Sequence, residues 1–210
     1  EWLDNLADTP FLTRCRTGKI SRDELHVFVK QHRLYSRHFT RYLAALLSNI
    51  EDDHDRQELT RNLFDEMGLG DAGNRPHSML YLDMMHNMGI TPDENPLPST
   101  MRLIDTMLQC CKFPNYLVGL GALCLGAEGI VPYIYTMIVN SFLSMGESQE
   151  NLQFFTLHIE CDDEHAKTMY AIIEKELDKN QNASIDLNYG ANRLIQARVD
   201  FFNGLVTCTD

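Results

Sequence analysis

Three groups of acidic and histidine side chains have the types and spacing needed to bind a transition metal. The first is His158, Asp162 and His165, which recur at steps of four and three residues. At about 100° per residue of α-helix, the three fall on one stripe. Two imidazoles and a carboxylate suit iron, manganese or zinc better than calcium or magnesium. The alternative for this stripe is a row of histidines held only by hydrogen bonds.

The second group is a single acid, Glu128, in an otherwise apolar stretch. It is the only charged residue from Phe113 through Gly146. An unpaired carboxylate in a core helix costs several kcal/mol or more, so Glu128 must be protonated, paired with a cation or bound to a metal. A glutamate that caps a helix kink or pairs with an arginine is the alternative to a metal ligand.

The third group is a carboxylate and an imidazole on two consecutive helices. Glu66 lies at the end of one predicted helix and His77 at the start of the next, so the loop between them could bring the two together. The loop over 68–76 is long, and His86 is the substitute for His77. Because helix ends commonly carry acids and loops commonly carry histidines, this is the weakest of the three signals. Together the groups predict a site for two iron ions, with these ligands: Glu66, His77, Glu128, His158, Asp162 and His165.

Helices must position these side chains. Ser21 and Glu24 form a capping-box sequence, and apolar and aromatic residues then recur at three- and four-residue steps, which predicts a long helix ending near Asn49. Pro132 predicts a kink in a later helix. No segment alternates with period two, so we expect an all-α fold, a single bundle of about seven or eight helices over 1–210. The further helices are predicted over 51–67, 77–88, 99–112, 115–145, 148–179 and 185–206.

Composition excludes several classes of partner. The 210 residues include 18 Lys and Arg against 30 Asp and Glu, a net charge of −12, so we expect no nucleic-acid or membrane partner. The apolar run from Phe113 to Gly146 carries polar interruptions and lacks basic flanks, which favours a buried core helix over a membrane span. The six cysteines lie in apolar helical stretches rather than spaced loops. With no secretory signal in the sequence, we expect reduced thiols and a cytoplasmic protein.

The order of the motifs carries a family resemblance. The segment NLFDE, a histidine opening the next helix, an isolated glutamate in a Gly/Ala-rich helix and the pattern H-x3-D-x2-H occur in that order. This arrangement resembles the heme-oxygenase-like di-iron oxidases and oxygenases, also described as iron-containing redox enzymes. They share their fold with TenA and PqqC proteins and include the Chlamydia protein associating with death domains. The likeness runs from about Thr9 to the end of the chain.

The resemblance implies a di-iron site that activates O2, with manganese as the alternative metal. It also implies several reactions: oxidative decarboxylation or C–C cleavage of fatty or amino acids, N-oxygenation, and a self-sacrificing synthesis of 4-aminobenzoate. The last is the least supported, because His32 stands where that subgroup's tyrosine is expected and no lysine follows Glu128 before Lys167. His32 and Tyr35 lie on the core-facing stripe of their helix, where they line a substrate pocket or only pack.

Other functions remain open from the sequence. A metal-independent, TenA-like hydrolase of a thiamin-type heterocycle would need a cysteine nucleophile, and Cys124 is the candidate. A ferritin-like site would use the ExxH sequence that ends at His54, although that pattern needs two copies. The Met-rich segment Met79 to Met88 could be a binding surface of an interaction protein. For the di-iron enzyme we expect a small-molecule substrate, an external reductant or redox partner, and a homodimer as one form of assembly.

Overall fold

Helices make up the regular secondary structure of the chain. The computed structural model describes residues 2–70 and 75–206, apart from the side chains of 160–164, and within those residues no strand occurs. The predicted all-α class is therefore confirmed. The α-helices of this part are α1 Trp2–Ala7, α2 Pro10–Arg16, α3 Arg22–Ser36, α4 Phe39–Leu47, α5 Asp53–Glu66, α6 His77–Asn87, α7 Pro98–Cys111, α8 Tyr116–Leu120, α9 Val131–Ser144, α10 Gln153–Lys179 and α11 Ala183–Val206.

The capping box at the start of α3 forms as predicted. The Ser21 hydroxyl accepts the Glu24 N–H at 3.2 Å, and the Glu24 carboxylate accepts the Ser21 N–H at 2.8 Å. The Arg14 guanidinium also pairs with Glu24. These contacts satisfy amides that have no partner within the helix, and they join α3 to α2.

The predicted long helix to Asn49 is wrong, because the chain breaks between α3 and α4. At the end of α3 the Tyr35 carbonyl accepts the N–H of His38, three residues on, at 3.2 Å. The same carbonyl accepts the Tyr42 hydroxyl at 3.3 Å. A tight turn and a buried side chain thus occupy the acceptor that would continue the helix. The long apolar periodicity spans both helices, since each still buries an apolar face.

A second break interrupts the predicted helix over 115–145. After α8 the chain forms a π-helical turn over Gly121–Leu125, then a 3-10 turn over Glu128–Ile130, then α9. Ala127 leaves the helical region, with φ −126° and ψ −82°. Pro132 lies in the first turn of α9, where its missing N–H costs no hydrogen bond, so the break precedes the predicted kink. The break places Glu128 on a turn between two helices.

The stretch Tyr116–Ser144 is apolar and long enough to cross a membrane, and its most apolar 18-residue window has a mean hydropathy of 1.7. Within its most apolar window, however, 72% of the residues are buried inside the fold. Its apolar side chains pack in the core, as the sequence led us to expect.

Two glycines let α11 approach this stretch closely. A Cβ atom on Gly190 would overlap the backbone carbonyl of Val118, and one on Gly121 would overlap the backbone of Leu187. Only glycine leaves room for backbones at this separation. The close approach holds α11 against the segment that leads to Glu128.

Candidate metal centre

A glycine turn brings Glu66 and His77 together. Helix α5 ends beside Glu66, and Gly68 then adopts φ +70°, a left-handed conformation that favours glycine. The N–H of Gly68 donates to the Asp65 carbonyl at 2.8 Å. Helix α6 begins at His77, whose Nδ1 lies 3.1 Å from Oε1 of Glu66. Its substitute His86 is exposed further along α6 and joins none of the ligand groups found among the described residues.

Helix α10 supplies two more imidazoles on one buried stripe. His158 and His165 are 8% and 6% exposed. The ring centroids of His77 and His158 are 4.8 Å apart, and Nδ1 of His165 lies 3.7 Å from Oε1 of Glu66. The Asn62 side-chain amide donates to the His165 carbonyl at 3.1 Å and fixes α5 against α10.

Glu66 belongs to two separate ligand groups. In the first, one ligand atom from each of Glu66, His77 and His158 lies within 4.8 Å of the others. The second joins Glu66 with Glu128 and His165 under the same limit. All five side chains are buried, and Glu66 is the one carboxylate that the two groups share. The side chain of Asp162, the sixth predicted ligand, lies outside the described residues.

The imidazole nitrogens fit a metal. Nδ1 of His77 and Nδ1 of His165 are buried, and neither makes a well-aligned hydrogen bond to any residue that the structure describes. Buried polar atoms are nearly always satisfied, so nitrogens of this kind are available as ligands. Nδ1 of His158 lies 2.6 Å from the Phe154 carbonyl oxygen and donates its proton there, which leaves Nε2 with a free lone pair.

The charge states of His158 and Glu66 also fit a metal. Burial lowers the pKa of His158 to about 4, so its imidazole is neutral near pH 7. Burial raises the pKa of Glu66, but the neighbouring His77 outweighs it and the net pKa is lowered, so this carboxylate is ionised. Burial alone would lower the pKa of His77, but the Glu66 carboxylate outweighs burial, and the net pKa of His77 is raised. Carboxylate and neutral imidazole are the forms that bind metals.

A cavity of about 50 Å³ connects the cluster to the surface. Its outer wall includes half-buried residues of the α3–α4 turn and exposed Ser78, and its inner wall includes Glu66, Glu128 and His158. Tyr35, one of the two residues predicted on the core-facing stripe of its helix, lies on this wall.

His32 lies behind the cavity wall. Its Nε2 is 3.1 Å from the hydroxyl of Tyr135, which does line the cavity. The His32 ring stacks on Tyr81 with centroids 5.7 Å apart. His32 therefore supports a wall residue through packing and one polar contact.

Sequence reasoning missed two polar residues at the site. Oδ2 of Asp65 lies 3.7 Å from Nε2 of His165, and Arg198 is buried on the cavity wall at 4% exposure. Arg198 could have been found, because it falls on the buried stripe of α11, at helical spacing from Leu194 and Phe201. For Asp65, the only indication in the sequence is its position next to Glu66.

The alternative sites fit their proposed chemistries poorly. Cys124 is fully buried, its Sγ faces the Ala166 carbonyl at 4.0 Å, and burial raises the pKa of its thiol, which opposes a nucleophilic thiolate. Near His54, Lys175 Nζ binds both carboxylate oxygens of Asp55 at 2.7 Å, so a cation already neutralises that acidic cluster.

The Met-rich helix and the thiols follow core packing. Met84 and Met85 are buried, whereas Met79 is 42% exposed. The unpaired thiols found in the described part of the chain are all buried, in line with the expectation of reduced cysteines: Cys15, Cys110, Cys111 and Cys124.

Comparison with known proteins identifies the family. A model of the family described as iron-containing redox enzyme matches residues 26–199, so the chain belongs to that family and is an iron-containing redox enzyme. A relative named 4-aminobenzoate synthase, from Chlamydia pneumoniae, is 24% identical over 95% of this chain and 88% of the relative. The relative of the same name in Nitrosomonas europaea is 26% identical, over 96% and 85%.

Solved structures show the same fold. A heme oxygenase-like domain of unknown function from Shewanella denitrificans superposes with a TM-score of 0.79 at 19% identity, covering 99% of this chain and 88% of that one. A TenA homologue from Pseudomonas syringae also gives 0.79, at 15% identity, covering 98% and 88%. The predicted heme-oxygenase-like helical fold and family resemblance are thus confirmed.

Proposed function

We propose that this chain is a di-iron, O2-dependent oxidase or oxygenase acting on a small organic substrate. The observation that carries the proposal is Glu66, a buried carboxylate shared by two groups of ligand atoms. When bound, iron would supply the activation of O2 and the redox equivalents. Manganese is the alternative metal. We take Asp162 as the sixth ligand, on its spacing from His158 and His165 along α10.

The chain's own residues would prepare the site. The Phe154 carbonyl would hold the His158 ring with Nε2 toward the first ligand group. Metal binding would remove the proton from His77, and Glu66 would keep its negative charge despite burial. The cavity walls would exclude bulk water around the substrate, with entry past the α3–α4 turn.

Iron stoichiometry tests the proposal. Protein loaded with Fe(II) without oxygen should bind two irons per chain and consume O2 when it is admitted. Glu66→Ala should lose both irons, because both groups use that carboxylate. Glu58→Ala, on the same helix but paired with Arg61 at the surface, should bind iron as the wild type does. Less than about one iron per wild-type chain, or normal loading of Glu66→Ala, would contradict the proposal.

The proposal also predicts the kind of substrate. Optical screening tests the substrate: carboxylic and amino acids are added after O2 exposure, with an external reductant. A substrate should accelerate the decay of the absorption that appears when O2 is admitted.

We expect the chain to form one domain that acts in the cytoplasm without nucleic acid or membrane, as a monomer or a homodimer. Size measurement of the iron-loaded protein tests the homodimer.

Synthesis of 4-aminobenzoate is the second candidate. It is supported by the name of the relatives and by two tyrosines, Tyr35 and Tyr135, on the cavity wall beside the ligand groups. Mass spectrometry of iron-loaded protein after O2 exposure should then show released 4-aminobenzoate and a matching loss of mass from the chain. Tyr35→Phe or Tyr135→Phe should abolish this release. If the wild type releases no 4-aminobenzoate, this candidate is excluded and only the broader oxidase class remains.

A further inference from the structure

A buried arginine faces the same cavity as the candidate metal ligands. Arg198 lies on α11 and is 4% exposed, surrounded on its helix by buried Leu194 and Phe201. A guanidinium remains charged at all physiological pH values, so it cannot escape the cost of burial by losing its proton. Such a group needs hydrogen-bond acceptors and a negative charge.

The contacts of Arg198 satisfy only part of this need. Its Nε donates to the Gly126 carbonyl at 2.8 Å, and its Nη2 donates to the Tyr35 hydroxyl at 3.2 Å. The guanidinium also lies over the Tyr35 ring, 5.2 Å from its centroid. All these partners are neutral. Among the side chains that the structure describes, Arg198 has no ion pair, and its remaining N–H donors can bind an anion.

The cavity supplies the place for that anion. The carboxylates on its wall, Glu66 and Glu128, belong to the ligand groups, where bound metal would take up their charge. The rest of the inner wall is largely apolar, with Val131 and Phe154. An anion at Arg198 would therefore sit between an apolar wall and the metal ligands.

We propose that Arg198 binds the carboxylate of the substrate and so defines a substrate class of small monocarboxylic acids. Because the Tyr35 oxygen accepts from Arg198, its O–H hydrogen is free to donate to the same carboxylate. Arg198 orients the acid so that its carbon chain lies along the apolar wall. The proposal rests on the oxidase function proposed above and deepens it.

Binding to the metal-free protein tests this subsite apart from catalysis. Hexanoate and its neutral isostere hexanamide are titrated by calorimetry against metal-free protein, where no iron competes for the carboxylate. Wild type should bind hexanoate at least about tenfold more tightly than hexanamide, as expected for a charge-assisted hydrogen bond. Equal affinity for the two compounds, or binding of neither, would overturn the proposal whatever the variants do.

Variants assign the selectivity to Arg198. Arg198→Gln should lose hexanoate affinity by about tenfold to a hundredfold and leave hexanamide unchanged. Arg193→Gln is the matched control, since Arg193 lies on the same helix but donates to Gln109 at the surface, and it should bind as the wild type does. Tyr35→Phe keeps Arg198 in a folded protein and should lose selectivity severalfold.

Wild-type selectivity in either Arg198→Gln or Tyr35→Phe would overturn the assignment. Should Arg198→Gln fail to fold, as judged by circular dichroism, Tyr35→Phe alone decides. Iron binding by the wild type is measured separately. Normal iron loading without carboxylate selectivity defeats only this inference, and carboxylate selectivity without iron loading defeats only the oxidase proposal.

Discussion

Glu66 is the residue on which both ligand groups depend, and its charge depends in turn on His77. In the metal-free protein the two stabilise each other's charged forms, which raises the pKa of His77 and lowers that of Glu66. Metal must displace the His77 proton before it can use that nitrogen. Iron should therefore bind more tightly as the pH rises above the ordinary imidazole value of 6.5.

Substitutions of the two histidines of α6, one at a time, distinguish a metal ligand from a surface residue. His77→Ala should lower iron affinity by at least about tenfold, because it removes one donor atom and the charge partner of Glu66. His86→Ala, at an exposed position of the same helix, should have no effect. Iron titration of metal-free protein measures both. Equal affinities in the two variants would remove His77 from the ligand set.

Residues of the candidate site could be predicted from the sequence where a polar side chain stands in an otherwise apolar stretch. Glu128 was legible because it is the only charge in a long apolar run, and the structure buries it at 4% exposure beside the other candidate ligands. Arg198 falls on the buried stripe of α11, which marks it as buried, but the feature that gives it a role is a cavity. A cavity depends on distant elements, and no local spacing encodes it.

At the scale of elements, the start of α3 fixes the helix that carries His32 and Tyr35. Burial raises the pKa of Glu24, but bonds from Ser21 and the pairing with Arg14 outweigh burial and lower it. A depressed carboxyl pKa gives stability that is fully present above the unfolded value of 4.5 and lost as the pH falls through the folded pKa.

Glu24→Gln should therefore destabilise the protein at neutral pH but not at low pH. Glutamine keeps the capping bond but loses the charge pairing with Arg14, so we expect a loss of up to about 1 kcal/mol at pH 7, which shrinks below pH 4.5 as wild-type Glu24 takes up a proton. Urea unfolding at several pH values measures it. Asp23→Asn, at an exposed position of the same turn, is the control. A deficit that stays constant with pH would contradict the charge assignment.

The packing of α11 against α8 gives a second prediction for elements. Gly190→Ala should lower the free energy of unfolding by about 1–3 kcal/mol, because its Cβ would displace the Val118 carbonyl. Asn188→Ala, at an exposed position on the same helix, should leave stability unchanged or raise it slightly. Thermal unfolding compares the two. A fully stable Gly190→Ala protein would show that the helices can separate without cost.

Helix existence was more predictable than helix continuity. The breaks after Ser36 and around Ala127 both lie inside long apolar periodicities, which continue across them because each half still faces the core. The first break depends on the Tyr42 hydroxyl reaching the Tyr35 carbonyl, a contact made only once the helices have packed. The sequence signal at Pro132 indicated the second break but lay beyond it.

For the whole molecule, the candidate ligands tie together α5, α6, α10 and the turn at Glu128. A ligand that binds only the folded state stabilises it by mass action, by about 2.7 kcal/mol at a hundredfold excess over Kd. For a chain of this size that corresponds to a rise in Tm of about 5 to 10 °C.

Anaerobic calorimetry checks this rise. Fe(II) should raise the Tm of the wild type and of Glu58→Ala, and a chelator should reverse the change. Glu66→Ala should show no shift, because it lacks the carboxylate that both ligand groups share. A Tm independent of iron in the wild type would mean that the four elements are not joined by metal.

The spread of the ligand groups along the chain also sets the order of events during biosynthesis. Glu66 leaves the ribosome long before His165, and the turn that carries Glu128 is held by α11, which is synthesised later still. An unfinished chain therefore lacks the complete set of donors. The donors proposed to hold iron therefore come together only once α11 has been synthesised and has packed against this turn.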